Sequence, residues 1–356
     1  MSPPALLVIR ADASQRLGSG HVMRCLALAE QWTACGGEVH FACRSLKGHL
    51  MAELQARGYP THTLPLRDAP DPWSAQELEA DARATRDLMK RLIGERPNHP
   101  VWLLVDHYHI DASWHAAVEQ PGLRIAVLDD LADRPLKCDV LIDQNALTHL
   151  HHRYASLTPQ HCRRLLGAAY TLLREDVRHA ALARSVSTNH RDVLIFLGGA
   201  DNDRHTEQIV SHLTHQSNEP LPAQVLCGSM NPRWRQLQTL CRDARIGFSR
   251  AQRGMSQVMG QARAAIVACG MLAVELQALE VPSLLIPLSD IQKAVALDFE
   301  KRGRAVVLEP LDLTDSGAFD KAWARTLAME HRPSGQGIIP LDGALKVVNT
   351  LMEVQS

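Results

Sequence analysis

Several common devices are missing from this 356-residue chain, and each absence removes a class of function. The eight cysteines (25, 35, 43, 138, 162, 227, 241, 269) form no C-x-x-C pair, which argues against a disulfide framework and a cysteine-rich zinc site. No apolar run approaches the ~18 residues of a membrane-spanning helix. The amino terminus lacks a basic n-region and an A-x-A site, and Arg10-Ala-Asp12 cuts its apolar run short, so no signal peptide is expected. Lys+Arg 38 against Asp+Glu 39 leaves a formal charge of -1, which gives no general attraction to nucleic acid or anionic lipid. A cytoplasmic protein with no nucleic-acid or membrane partner is the expectation.

What remains is ordinary globular usage, 46% hydrophobic and 22% charged, in a length that suits about two domains. Short apolar runs at 6–9, 39–42, 101–105, 125–128 and 140–142 alternate with helical patterns at 22–33, 46–57, 75–93 and 112–119. Such alternation, with almost continuously apolar strands, predicts a parallel sheet covered on both faces. The pattern restarts after the polar stretch 185–190. Strands are expected at 193–197, 224–226, 264–267, 284–286 and 305–308, and helices at 206–214, 233–241, 271–279 and 294–301. The fold class is therefore α/β, two Rossmann-like doubly wound domains facing a cleft, residues 1–186 and 187–356. Residues 333–337 read as a second linker, and the last helix, 343–353, is expected to pack back on the first domain.

The first strand runs into Gly18-Ser-Gly-His-Val-Met-Arg24. A dinucleotide fingerprint would need a third glycine where Met23 stands, and an acidic residue after the second strand, where His40–Arg44 has none. Nicotinamide, flavin and Walker-type binding are excluded on that basis. A Gly18-x-Gly20 turn lets backbone approach a ligand, and the positive amino end of a helix favours a neutral His21, as a general base requires. Arg24 lies one turn on, placed to hold an anion. The plainer reading is a tight turn with a surface histidine.

In the second half, Gly198-Gly199 and Gly270 each sit between a strand and a helix, where a phosphate can meet free backbone N–H groups. Glu275, a turn further, suits a ribose. His107, His109 and the 149–152 histidines invite a metal reading, but no H-E-x-x-H spacing accompanies them and the chain has 18 histidines. No metal and no cofactor are expected. Asp129-Asp130 ends a strand and suits either a sugar hydroxyl or a cap.

Together Ile9–Ser14, Gly18–Cys25, Leu103–Tyr108, Leu128–Arg134, Cys138–Asn145, Leu166–Arg174, Gly198–Asp201 and Ala268–Glu275 through Gln292 resemble, in unbroken order, the UDP-2,4-diacetamido-2,4,6-trideoxy-β-L-altropyranose hydrolases of pseudaminic acid biosynthesis. The resemblance implies a GT-B-like fold and metal-free hydrolysis of a UDP-sugar. It implies His21 as the base for water, and Asp106 and Tyr108 near the sugar. Arg174, Glu275 and Gln292 match nucleotide- or substrate-binding positions, with Gly198 and Gly199 beside the diphosphate. The chain departs from the pattern at Ile291, where Asn is usual, at Leu272, where a small hydroxyl residue is common, and at Glu280, where glycine is common. Rivals are a glycosyltransferase of the same architecture, with a sugar or lipid acceptor, and a non-catalytic nucleotide-sugar binding module. A monomer is expected, since no coiled coil or exposed apolar stripe stands out.

Overall fold

The computed structural model describes residues 5–65, 73–96, 99, 101–145, 147, 150–183, 192–199, 201, 203–215, 222–228, 230–250, 255–329 and 339–354. The two linker segments expected at 185–190 and 333–337 lie outside these residues. The chain forms two compact units, Met1–Arg174 with Asp342–Ser356, and Glu175–Leu341.

The amino unit runs β1 (Leu6–Ala11), α1 (Gly20–Ala34), β2 (Glu38–Arg44), α2 (Met51–Ala56), β3 (Thr61–Leu64), α3 (Ala75–Gly94), β4 (Val101–Asp106), α4 (Ala112–Val118), β5 (Leu123–Leu128), β6 (Val140–Asp143), α5 (Leu150–Arg153) and β7 (Arg163–Leu166). Its seven strands pair in the order β3-β2-β1-β4-β5-β6-β7, all parallel. Successive side chains leave opposite faces of a strand, so each apolar run serves two cores. Leu7 and Ile9 of β1 and Trp102 and Leu104 of β4 pack with Leu26 and Trp32 of α1. Leu6, Val8, Leu103 and Val105 pack with Leu88, Met89 and Leu92 of α3 and Trp114 of α4. Ser74 starts α3 with a capping box, its hydroxyl accepting from Glu77 N while Glu77 reaches back to Ser74 N.

The carboxyl unit runs α6 (Glu175–Ala183), β8 (Val193–Phe196), α7 (His205–His215), β9 (Ala223–Cys227), α8 (Trp234–Asp243), β10 (Gly247–Arg250), α9 (Met255–Gln261), β11 (Ala264–Ala268), α10 (Met271–Ala278), β12 (Ser283–Ile286), α11 (Asp290–Lys301), β13 (Val306–Val307) and α12 (Ser316–Leu327). Its sheet has the order β10-β9-β8-β11-β12-β13, again all parallel. In both units the first two neighbours of the central strand are wound in opposite directions. That reversal is the doubly wound topology, and it places loops for a ligand at the carboxyl ends of the central pair.

The division falls at 174/175, not at 186/187, because α6 packs on α9 and α10. The last helix, α13 (Gly343–Glu353), belongs to the amino unit. It lies on α1 and buries Val347, Val348 and Leu351 in the core that holds Leu26 and Trp102. The edge strands β3 (THTL), β7 (RRLL) and β10 (GFSR) escape the sequence pattern, since a half-wet edge needs no apolar run. Among the described residues no helix is long and apolar enough to cross a membrane.

Candidate active site

The turn after β1 folds on itself. Ser14 N and Gly18 N exchange hydrogen bonds with Gly18 O and Ser14 O, and the Ser14 hydroxyl accepts from Arg16 N and Leu17 N. Gly18 takes φ +77°, a conformation that disfavours any side chain. Gly20 opens α1 with empty space around the position of a Cβ. This turn delivers His21 and Arg24, one helical turn apart, over the end of β4.

There Asp106, fully buried, takes both side chains. His21 Nδ1 lies 2.6 Å from Asp106 Oδ1, while Arg24 Nε and Nη2 donate to Oδ2 and Oδ1, each at 2.6 Å. Cys25 Sγ adds a contact at 3.4 Å. Burial by itself raises a carboxyl pKa, but the Arg24 charge, with His21, outweighs it and holds Asp106 well below the usual carboxylate range. An ionised carboxylate only accepts, so His21 donates its Nδ1–H and the lone pair is on Nε2. That nitrogen takes no protein hydrogen bond among the described residues.

Arg24 Nη1 reaches across to Asp130 Oδ2 at 2.8 Å, and Tyr108 donates its hydroxyl to the same oxygen at 3.3 Å. Burial and the Asp130 charge push the Tyr108 phenol up from its ordinary value, so it stays a donor. Its ring meets His21 edge-on, with ring centres 4.5 Å apart. The structure thus assembles His21, Arg24, Asp106 and Tyr108, and it changes two of the expected roles. Arg24 is clamped between two carboxylates and is not extended toward an anion. Asp106 positions His21 and Arg24 and has no accessible surface to offer a sugar.

The pair Asp129-Asp130 divides its work. Asp129 accepts from Ala132 N and the Tyr154 hydroxyl and pairs with Arg134, all structural contacts. Asp130 joins the site, which the sequence pattern left open. Its Oδ2 takes Arg24 and Tyr108, and its Oδ1 is buried without a hydrogen-bond partner.

A second buried network sits beside the first. Arg10 bonds Asp81 at 3.2 and 2.8 Å and Asp12 at 2.9 Å, and Arg44 Nε bonds Asp81 at 2.8 Å. Trp114 Nε1 also donates to Asp81, at 3.0 Å, and Asp12 Oδ1 accepts from Arg44 N at 2.7 Å. His107 Nε2 lies 3.5 Å from Asp12, and burial pulls its pKa down to about 4. Trp73 and Trp114, isolated in the sequence, therefore converge here, Trp73 under the Arg44 guanidinium.

In the carboxyl unit the candidates sit at the carboxyl ends of β8, β11 and β12. Gly198 takes φ +96°, and the Gly199 carbonyl crosses so close to Gly228 that a Cβ there would stand 2.2 Å from it. The helix after this turn begins only at His205, and its first N–H groups at 205 and 206 are already met by the Asp201 carboxylate, at 3.1 and 3.3 Å. The amino end of α7 is thus occupied by the protein itself, contrary to the expectation of a phosphate seat at Gly199. α10 follows β11 after two residues. Gly270 is its N-cap with no side-chain cap, and Glu275 is buried one turn on. Gln292 folds back, its Oε1 accepting from Leu288 N at 2.9 Å, next to Ile291 at the start of α11. Arg174 is the last residue of the amino unit, before α6. Among the described residues no three His, Cys, Asp or Glu side chains converge as metal ligands. Part of the 149–152 histidine run lies outside those residues.

No protein-family model matches the chain. Over 233 residues it is 27% identical to the UDP-2,4-diacetamido-2,4,6-trideoxy-β-L-altropyranose hydrolase of Campylobacter jejuni subsp. jejuni serotype O:2, an alignment covering 65% of this chain and 73% of that protein. Among solved structures, Acinetobacter baumannii MurG superposes with a TM-score of 0.62 at 15% identity, covering 99% of this chain and 100% of the other. The spinosyn rhamnosyltransferase SpnG gives 0.62 at 16%, covering 98% and 96%. The UDP-GlcNAc 2-epimerase of Methanocaldococcus jannaschii gives 0.58 at 9%, covering 98% and 99%. These structural likenesses establish the fold, a pair of Rossmann-like domains as in GT-B glycosyltransferases, and the fold alone does not choose a chemistry. In sequence the chain resembles the UDP-diacetamido-trideoxy-altropyranose hydrolases, and in architecture the GT-B enzymes.

Proposed function

We propose that the protein is a UDP-sugar hydrolase acting on UDP-2,4-diacetamido-2,4,6-trideoxy-β-L-altropyranose, a step of pseudaminic acid biosynthesis. The observation that carries this reading is the His21–Asp106 pair, 2.6 Å apart, in a chain similar to a hydrolase of that substrate. The buried carboxylate selects the Nδ1–H tautomer and supports the imidazolium once it forms. Nε2 then takes a proton from water as the water oxygen attacks the anomeric carbon. The bond from that carbon to the phosphate oxygen breaks, UDP departs with the bonding pair, and a single displacement inverts the configuration. The start of α10, where Gly270 and Glu275 lie, and Arg174 are assigned to UDP. Tyr108, half-buried beside His21, is assigned to the sugar.

The helix start and Arg174 supply positive potential toward the leaving diphosphate without a divalent ion. The test is UDP release from the altrose nucleotide with EDTA present. Release by the wild type, falling at least about a hundredfold in His21→Ala, is the expected result. UDP binding without release would overturn the hydrolase in favour of a binding module. Release that appears only when a sugar or lipid acceptor is added would make the protein a transferase.

A further inference from the structure

Two cysteines of the amino unit take no part in that mechanism. Cys138 comes two residues before β6 and Cys162 one residue before β7, and their Sγ atoms stand 3.6 Å apart. Both are buried. Arg163 N donates to Asp139 O at 2.8 Å, so the backbones next to the two cysteines run at the spacing of paired strands. A disulfide spans that spacing. To reach bonding distance the sulfurs close by about 1.5 Å, a movement on the scale of a side-chain rotation.

The pair is polarised as well as close. Cys138 donates its S–H to Cys162, and the Arg164 charge and the Leu141 N–H act in the same sense. Together they hold the Cys162 thiol below its ordinary value against the opposing effect of burial, while the same sulfur–sulfur bond, with burial, raises Cys138. Cysteines that only fill core space behave otherwise: burial pushes Cys43 and Cys269 up to about 12. Cys162 also lies in the turn that leads to the edge strand β7, next to half-buried Arg164 and exposed Arg163. It has the character of an attacking sulfur, and Cys138 the place of a resolving one. The segment between them carries supports of the candidate site. Tyr154 lies 3.0 Å from both Asp129 and Asp143, and Arg153 donates to the carbonyls of Asp130 and Leu131.

We infer that Cys138 and Cys162 are a redox modification site, closing with a peroxide to a reversible disulfide that clamps the segment behind the candidate site. The Cys162 sulfur attacks a peroxide oxygen, the O–O bond breaks, and a sulfenic acid forms with release of water. The Cys138 sulfur then attacks the Cys162 sulfur, and the hydroxide leaves with the Cys138 proton as a second water. Two thiols lose two electrons and two protons, and one hydrogen peroxide becomes two waters.

Peptide mapping of the full chain, after hydrogen peroxide and then alkylation under denaturing conditions, tests the assignment. The expected product is a linked pair of peptides holding Cys138 and Cys162, two hydrogens lighter than the free thiols and reopened by dithiothreitol. In Cys138→Ser the Cys162 sulfur is expected to stop as a sulfenic acid and take up dimedone, whereas in Cys162→Ser the Cys138 sulfur is not. Cys35→Ser, at the exposed cysteine, removes links between chains from the same measurement. The disulfide restricts the unfolded chain, so the oxidised protein should unfold roughly 5 °C or more above the reduced one. Alkylation of both thiols after peroxide, or a link from either of them to another cysteine, would overturn the proposal. So would an oxidised form that unfolds no later than the reduced form, which removes the clamp. Mapping needs no nucleotide sugar, so the result is independent of whether the UDP-sugar is cleaved.

Discussion

At His21 a single hydrogen bond determines which nitrogen is basic. In Asp106→Asn the amide no longer discriminates against the wrong tautomer, and its two oxygens' worth of acceptor capacity for Arg24 is halved. Turnover is expected to fall on the order of a hundredfold or more, while affinity for UDP itself stays within about twofold. Pre-steady-state UDP release and a UDP titration on the same variant separate these effects, and loss of UDP affinity would mean that the amino-unit cluster also holds the nucleotide. A second residue-scale case is Glu280. It takes φ +55° at the turn between α10 and β12, a left-handed conformation that favours glycine. Relieving a left-handed non-glycine residue is worth about 1 kcal/mol. Glu280→Gly should raise the denaturation midpoint accordingly. An unchanged or lowered midpoint would show that the side chain's own contacts offset the strain.

Among the elements, the turn after β8 and the turn after β9 press together at Gly199 and Gly228. A methyl group at 228 would stand 2.2 Å from the Gly199 carbonyl oxygen, far inside contact distance and against backbone that has little room to yield. Gly228→Ala should therefore displace the 198–199 turn, costing about 1–3 kcal/mol of stability as an overpacked site does. Chemical denaturation checks this, and a cost below about 0.5 kcal/mol would mean that the turn moves freely. The same comparison with UDP present tests whether the turn touches the nucleotide. At α7, Asp201 has already satisfied the first N–H groups, and burial raises its own pKa. The glycine-rich turn before α7 is thus a conformational device in this structure.

For the molecule as a whole, acid stability rests on buried groups that the site does not use. Burial pulls His107 to about 4 and His115 to about 3, both below the ordinary histidine value. The unfolded chain then binds more protons than the folded one below pH ~6.5, so stability rises with pH through that window, by up to about 1.4 kcal/mol per unit for each histidine. Asp143 works in the opposite sense. Burial raises it to about 6, so the folded state holds the extra proton between about 4 and 6 and stability falls as pH rises there. With two histidines against one carboxyl, unfolding free energy should increase from pH 5 to pH 7, and His115→Gln should flatten that slope. Denaturant titrations at both pH values check the sign. The return of α13 to the amino unit makes a further expectation at this scale. Removing residues 342–356 strips Val347, Val348 and Leu351, none of them exposed, from the amino core. At about 1.5–3 kcal/mol each, that loss is comparable to the whole stability of a domain. Calorimetry of the truncated chain should lose the amino-unit transition and retain the other.

The sequence by itself determined the α/β class, the single restart of the strand–helix pattern, and the Gly18–Arg24 turn. These follow from local rules: continuous apolar runs specify doubly covered strands, and glycine with histidine at a helix start is readable within seven residues. Tertiary structure alone decided what Asp106 and Asp130 do, because β4 and β5 reach His21 and Arg24 only after the sheet has closed across 82 to 106 residues of chain. It also decided where the amino unit ends, before α6 and not after it, and which helices α6 packs against. Those are packing choices among amphipathic helices whose own sequences fit either sheet, settled by which apolar face is left uncovered.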